Sequence, residues 1–171
     1  MGVRAYVAAI GGLGLLVIAL FAGASSVSAD PNTILEFHSM SPVTGPFVGS
    51  ANPQRGLNGG GLPWMIDSAH GQLQSDGTLE IQVDGLVLAN DPSVPAALRG
   101  TNPVPSFRAV VSCLVASGSS VGTSNVATGP FPASKAGDAK VETAVMLPRH
   151  CVAPEIFVTS PTEAWFAVTG T

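Results

Sequence analysis

Along residues 78–88 apolar and polar side chains alternate, with Leu79, Ile81 and Val83 on one side and Glu80, Gln82 and Asp84 on the other. A period of two is the mark of a half-buried strand, because successive side chains of an extended chain point to opposite faces. The alternation slips at Gly85, after which Leu86, Val87 and Leu88 are all apolar. A bulge at Gly85, or entry into a fully buried section, is expected there. Just upstream, Ser75-Asp76-Gly77 separates this strand from residues 71–74. The Asp-Gly pair predicts a tight hairpin turn built on positive φ angles. Residues 107–117 read as the central strand: Phe107, Ala109, Val111, Cys113 and Val115 make an unbroken apolar face, which points Cys113 into the core. Residues 138–147 repeat the pattern, with Val141, Thr143, Val145 and Leu147 against Lys140 and Glu142, until Pro148 ends it.

Shorter strands are expected at 33–38, 46–49, 64–67, 121–128, 155–159 and 164–169. Turn residues separate them at intervals of about 8–12 residues, and no long helical stripe follows residue 30. The fold class is therefore all-β, a single antiparallel β-sandwich stapled by one disulfide, with a closed β-barrel as the alternative. Two connections are unusually long. Residues 49–63 carry Gly59-Gly60-Gly61, and residues 89–105 carry four prolines, Pro92, Pro95, Pro103 and Pro105, with Asn90 and Asn102. Loops of this length form binding lips or simply cap one end of a sandwich. Thr44-Gly45-Pro46-Phe47 recurs as Thr128-Gly129-Pro130-Phe131, too short a match to define a repeat.

The N-terminus follows a different pattern. Residues 1–4 carry a positive charge, residues 8–24 are apolar apart from glycines, and Val27-Ser28-Ala29 supplies small residues just before Asp30-Pro31. This order reads as a secretory signal peptide over residues 1–29, followed by one all-β domain over 30–171. An uncleaved anchor is the competing reading, since residues 6–24 approach the length that spans a bilayer. Gly11, Gly12 and Gly14 weaken it as a helix. No second apolar run approaches membrane length, so no membrane association is expected after cleavage, and the product belongs outside the cytoplasm, secreted or in the cell envelope.

Composition fits this picture. Glycine and proline number 20 and 14 of 171 residues, above the average share of about 12% but below that of disordered chains, so turns are frequent and a core still forms. Residues 30–171 retain all eleven acidic side chains and six of the seven basic ones, a net charge of −5 with neutral histidines. Nucleic acid is excluded as an expected partner, because the basic residues are few and scattered. Cys113 and Cys151 are the only cysteines. In an oxidising compartment they are expected to bond to each other, and without a Cys-x-x-Cys spacing the bond is structural. Cys151 follows the 138–147 strand, so the bond is expected to staple that strand to the one carrying Cys113.

Little of the sequence carries chemistry. Gly59-Gly60-Gly61-Leu62-Pro63 lacks the Lys-Ser/Thr of a phosphate-binding loop and leads into a strand. His38, His70 and His150 form no local ligand pair, so no metal or other cofactor is expected. A hydrolase would draw on Asp67, His70, Glu80 and Asp84, but no nucleophile elbow accompanies them, and alternating carboxylates on a strand also describe a solvated face. Trp64 and Trp165 could offer a sugar-stacking platform, although Trp165 lies in an apolar strand. No Asn-x-Ser/Thr sequon occurs.

Gly59-Gly60-Gly61-Leu62-Pro63-Trp64, Gly85-Leu86-Val87-Leu88, Thr101-Asn102-Pro103-Val104-Pro105 and Phe107-Arg108-Ala109-Val110-Val111-Ser112-Cys113 together resemble a group of uncharacterised secreted bacterial all-β proteins. That resemblance covers most of residues 30–171 and implies export without implying an activity. The expected function is thus an exported non-catalytic binding or structural module for an extracellular ligand or cell-envelope component. No catalytic residue is assigned; an extracellular hydrolase and a metal-binding protein are the alternatives.

Overall fold

The computed structural model describes residues 31–169. The proposed signal peptide and its cleavage point after Ala29 lie outside the described residues. Twelve strands follow in order: β1 (Thr33–Phe37), β2 (Met40–Pro42), β3 (Trp64–Met65), β4 (Ser68–Gln74), β5 (Thr78–Asp84), β6 (Val87–Leu88), β7 (Ser106–Ser117), β8 (Ser120–Ala127), β9 (Phe131–Pro132), β10 (Ala139–Ala144), β11 (Val152–Thr159) and β12 (Trp165–Thr169). One antiparallel sheet has the order β1-β4-β5-β10. A second runs β2-β12-β11-β7-β8, with β9 pairing β7 beyond the end of β8. A two-stranded ribbon joins β3 to β6. Among the described residues no sheet closes into a barrel, so the expected sandwich holds and the barrel alternative does not.

Alternation explains how the sheets face each other. Leu73 on β4 and Leu79, Ile81 and Val83 on β5 turn inward and are fully buried, while His70, Gln72, Glu80 and Gln82 turn outward. Strand β7 supplies Phe107, Ala109, Val111 and Cys113 to the same core, and β11 adds Ile156 and Val158. Burial of side chains this size, at about 25 cal/mol per Å² of apolar surface, is the main force holding the layers together. The opposite face of the second sheet is covered as well: Val110, Ser112 and Phe157 are buried there. Its cover is the connection between β2 and β3.

The disulfide forms between Cys113 and Cys151, with Cα atoms 4.9 Å apart. It does not join the two strands expected. Strand β10 pairs with β5 in the first sheet, whereas β7 pairs with β11 in the second through Val152 opposite Leu114. Cys151 lies after the chain has crossed between sheets, one residue before β11. Alternation in residues 138–147 reported which face is buried and carried no information about the neighbouring strand.

Three local expectations are corrected. Residues 46–49 are not a strand; Gly45–Phe47 is a single 3-10 turn, with Gly45 at φ 55°. The 75–77 hairpin has three connecting residues, and only Gly77 (φ 92°) takes a positive angle. Its N–H donates to Gln74 O at 3.0 Å, and Asp76 Oδ1 accepts from the Thr78 N–H at 2.8 Å. That amide bond holds the Asp76 carboxyl below its ordinary value. Strand β11 begins earlier than 155, because a register shift between Val152 and Glu155 absorbs Pro154 and leaves Ala153 at φ 43°. At Gly85 the structure makes a corner: with φ 66° and Asp67's carboxyl against its open side, the chain leaves β5 and enters β6.

Candidate functional site

The outer face of the first sheet holds most of the residues a hydrolase would need. Register places Ser68 opposite Asp84, His70 opposite Gln82 and Gln72 opposite Glu80, and β10 sets Lys140 opposite Gln82 and Glu142 opposite Glu80. The face is tied together by bonds between its own side chains. Ser68 Oγ donates to Asp84 Oδ2 at 2.9 Å, Gln72 Nε2 donates to Glu80 Oε2 at 3.2 Å, and Lys140 Nζ lies 2.6 Å from Glu142 Oε1. The last pair favours its charged forms: the hydrogen bond raises Lys140 above and lowers Glu142 below the ordinary values.

Among the described residues, Asp67, His70, Glu80 and Asp84 do not line one depression together. His70 and Glu80 line a depression of about 240 Å³ beside β1, while Asp84 lines another of about 590 Å³ with Asp138 and Lys140. Asp67 turns toward Gly85. Asp138 also has structural work there, accepting from Gly85 N at 3.1 Å and from Ser134 Oγ at 3.1 Å. A general acid and a general base must converge on one bond. The described carboxylates are spread along an open sheet.

The three histidines do not converge: His38 shares the depression of His70 and Glu80, while His150 lies apart from both. His38 follows β1 and contacts Glu36 at 3.5 Å in the open; His150, at φ 62°, lines a hollow with Ile34 and Ser75 by the other end of β1. Among the described residues, no group of three His, Cys, Asp or Glu side chains could hold a metal ion. Trp64 and Trp165 are both buried. Trp64 stacks on Phe166 with ring centres 3.9 Å apart, and Trp165 sits against Phe47 and Phe157. Neither gives the open ring face a sugar needs.

The two long connections are ordered by specific bonds. In the first, the Gly59 N–H donates to Gly49 O at 2.9 Å and the Gly60 N–H to Trp165 O at 2.8 Å, so these amides complete a ladder beside β12 and do not cradle a phosphate. Arg55 anchors the same connection to β11, donating to Glu155 Oε1 at 2.8 Å and Ala153 O at 3.1 Å. In the second, the buried Asn102 amide donates to Val104 O at 2.7 Å and Ser134 O at 2.9 Å, while its N–H reaches Lys135 O at 2.9 Å. Leu88 exchanges bonds with Thr101 and Gly100, which pins the loop to β6.

Where these connections meet they leave an apolar groove of about 310 Å³. Gly61 and Leu62 form one wall, Leu98, Pro103 and Val104 the other, and Trp64, Leu88 and Phe166 the floor. No lining side chain is ionisable. The stacked Trp64–Phe166 pair is braced from below by Phe107, which meets both rings at 5.9–6.4 Å. Length and Pro/Gly content singled out the two connections in the sequence. Nothing local could reveal that Phe166, near the end of the chain, lies beneath both. No family model, curated protein or solved structure matches this chain.

Proposed function

We propose that the protein is exported and acts as a non-catalytic binding module, receiving a small apolar group of an extracytoplasmic ligand in the groove between its two long connections. The groove carries the reading: its volume falls within the range of small-ligand sites, its walls are apolar, and its floor is already packed. A preformed site avoids the ordering cost that a mobile loop would impose on binding. A disulfide-bonded all-β domain suits an oxidising compartment, and the resemblance to secreted bacterial proteins supports the same location.

Because Trp64 forms the floor, occupancy changes its surroundings and therefore its emission. Trp165→Phe leaves Trp64 as the sole tryptophan. Titration of that variant with 1-octanol and 2-naphthol is expected to give a saturable change for at least one probe. Adding Leu98→Glu places a carboxylate on the rim and is expected to weaken the response about tenfold or more, the scale of an unpaired charge held against apolar surface. A linear response, or one that Leu98→Glu leaves intact, overturns the reading.

A further inference from the structure

Four described strands form the edges of the two main sheets, and three of them are blocked against further pairing. Strand β1 has a register shift between Thr33 and Leu35 and carries Glu36. Strand β10 carries Lys140 and Glu142, and β2 has three residues ending in Pro42. Irregularity, charge and proline are the usual means by which an edge is kept from templating another strand. Strand β8 has none of them. It pairs with β7 without a break from Val110 opposite Ala127 to Ser117 opposite Ser120, and no Asp, Glu, Lys, Arg or His occurs between Arg108 and Lys135.

The open side of β8 can be assigned atom by atom. The Thr128 N–H donates to Ala109 O at 2.8 Å, which fixes the even-numbered residues of β8 as those facing β7. Val121, Thr123, Asn125 and Ala127 then direct their backbone N–H and C=O groups outward, and no backbone partner takes them among the described residues. Exposed apolar side chains accompany this edge. Val121 is 70% exposed, and Val152 (58%) stands opposite Leu114, itself opposite Thr123.

We infer that β8 is a homodimer interface, at which two copies of this chain join antiparallel across a twofold axis into one continuous sheet. A second copy is the partner the charges favour. The chain is acidic, with a net charge of −4, so most self-contacts would oppose like charges, whereas the 109–134 stretch brings none to the interface. The outward groups also match their own copy. An axis at Ser124 sets Thr123 opposite Asn125 and Val121 opposite Ala127 of the second copy, forming about eight backbone hydrogen bonds.

Sedimentation velocity on the disulfide-intact protein, from about 1 to 200 µM, tests this together with hydrogen exchange over residues 120–127. The expected result is a concentration-dependent dimer whose 120–127 amides become protected as it forms. Thr123→Lys places like charges across the axis, and Thr123→Pro removes an outward N–H without touching a bond to β7. Each is expected to weaken the dimer about tenfold or more, with the melting temperature of the dilute monomer unchanged for Thr123→Lys. A monomer at every concentration overturns the inference. So does a dimer that survives Thr123→Lys, or an edge already protected in the monomer by a different segment or bound chain.

Discussion

A Cβ placed on Gly59 would run into the carbonyl oxygen of Phe47, one on Gly60 would press on the Phe166 ring at 3.0 Å, and one on Gly61 would meet nothing within 4 Å. None of the three has a positive φ, so close packing alone separates them. Gly59→Ala is expected to destabilise the fold by about 2–4 kcal/mol, because the obstacle is backbone and cannot rotate away. Gly61→Ala is expected to be neutral or stabilising by up to about 1 kcal/mol, since it only narrows the unfolded ensemble. Urea midpoints at constant slope would measure both. Equal effects at the two positions would contradict the packed ladder beside β12. The sequence shows only three identical residues in a row, a pattern that also describes a flexible loop. What distinguishes them is Phe47 before the run and Trp165 and Phe166 about a hundred residues after it, contacts that no local window contains.

Strands announced themselves wherever one face is buried and the other wet. β5, β7 and β10 were legible for that reason, as was the inward direction of Cys113; β4 was expected only over 71–74, from the turn that follows it, and runs Ser68–Gln74. Strands β2 and β9 were not legible, since each is short and contains a proline that reads as a turn. Apart from the β4–β5 hairpin, which the Asp76-Gly77 turn announced, strand neighbours were illegible, because a period of two names a face and is silent about what lies alongside. The disulfide shows the consequence. Joining β7 to the residue before β11, it pins the point where the chain passes from the first sheet to the second, across a separation of 38 residues. Closing a loop of that length stabilises the fold by up to about 4 kcal/mol in the chain-entropy model. Replacing both cysteines with alanine is expected to lower unfolding stability by about 2–4 kcal/mol and to speed hydrogen exchange in residues 145–155 before β5 and β10 are affected. A loss below about 0.5 kcal/mol, or exchange that rises uniformly, would show that the bond does not secure this crossing.

The proposed export would give the whole molecule an oxidising environment, and the described fold is compatible with a cut after Ala29. The first strand begins at Thr33, and the nearest backbone anchor upstream is Asn32, whose carbonyl accepts from the Ser75 N–H at 2.7 Å. A chain starting at Asp30 therefore keeps every described strand. Cleavage and disulfide formation should go together, because both follow from passage into an oxidising compartment. Intact mass and N-terminal sequencing of protein from a secreting host are expected to give a start at Asp30, with the Cys113 and Cys151 peptides linked under non-reducing conditions. The same domain produced without residues 1–29, and kept in a reducing cytoplasm, is expected to carry two free thiols and to melt lower by roughly 10 °C, the shift that about 3 kcal/mol implies for a domain of this size. Full-length protein held in the membrane fraction would favour the anchor reading of residues 6–24. A mature start inside β1 would break the link between processing and fold, since the strand that closes one side of the first sheet would be lost.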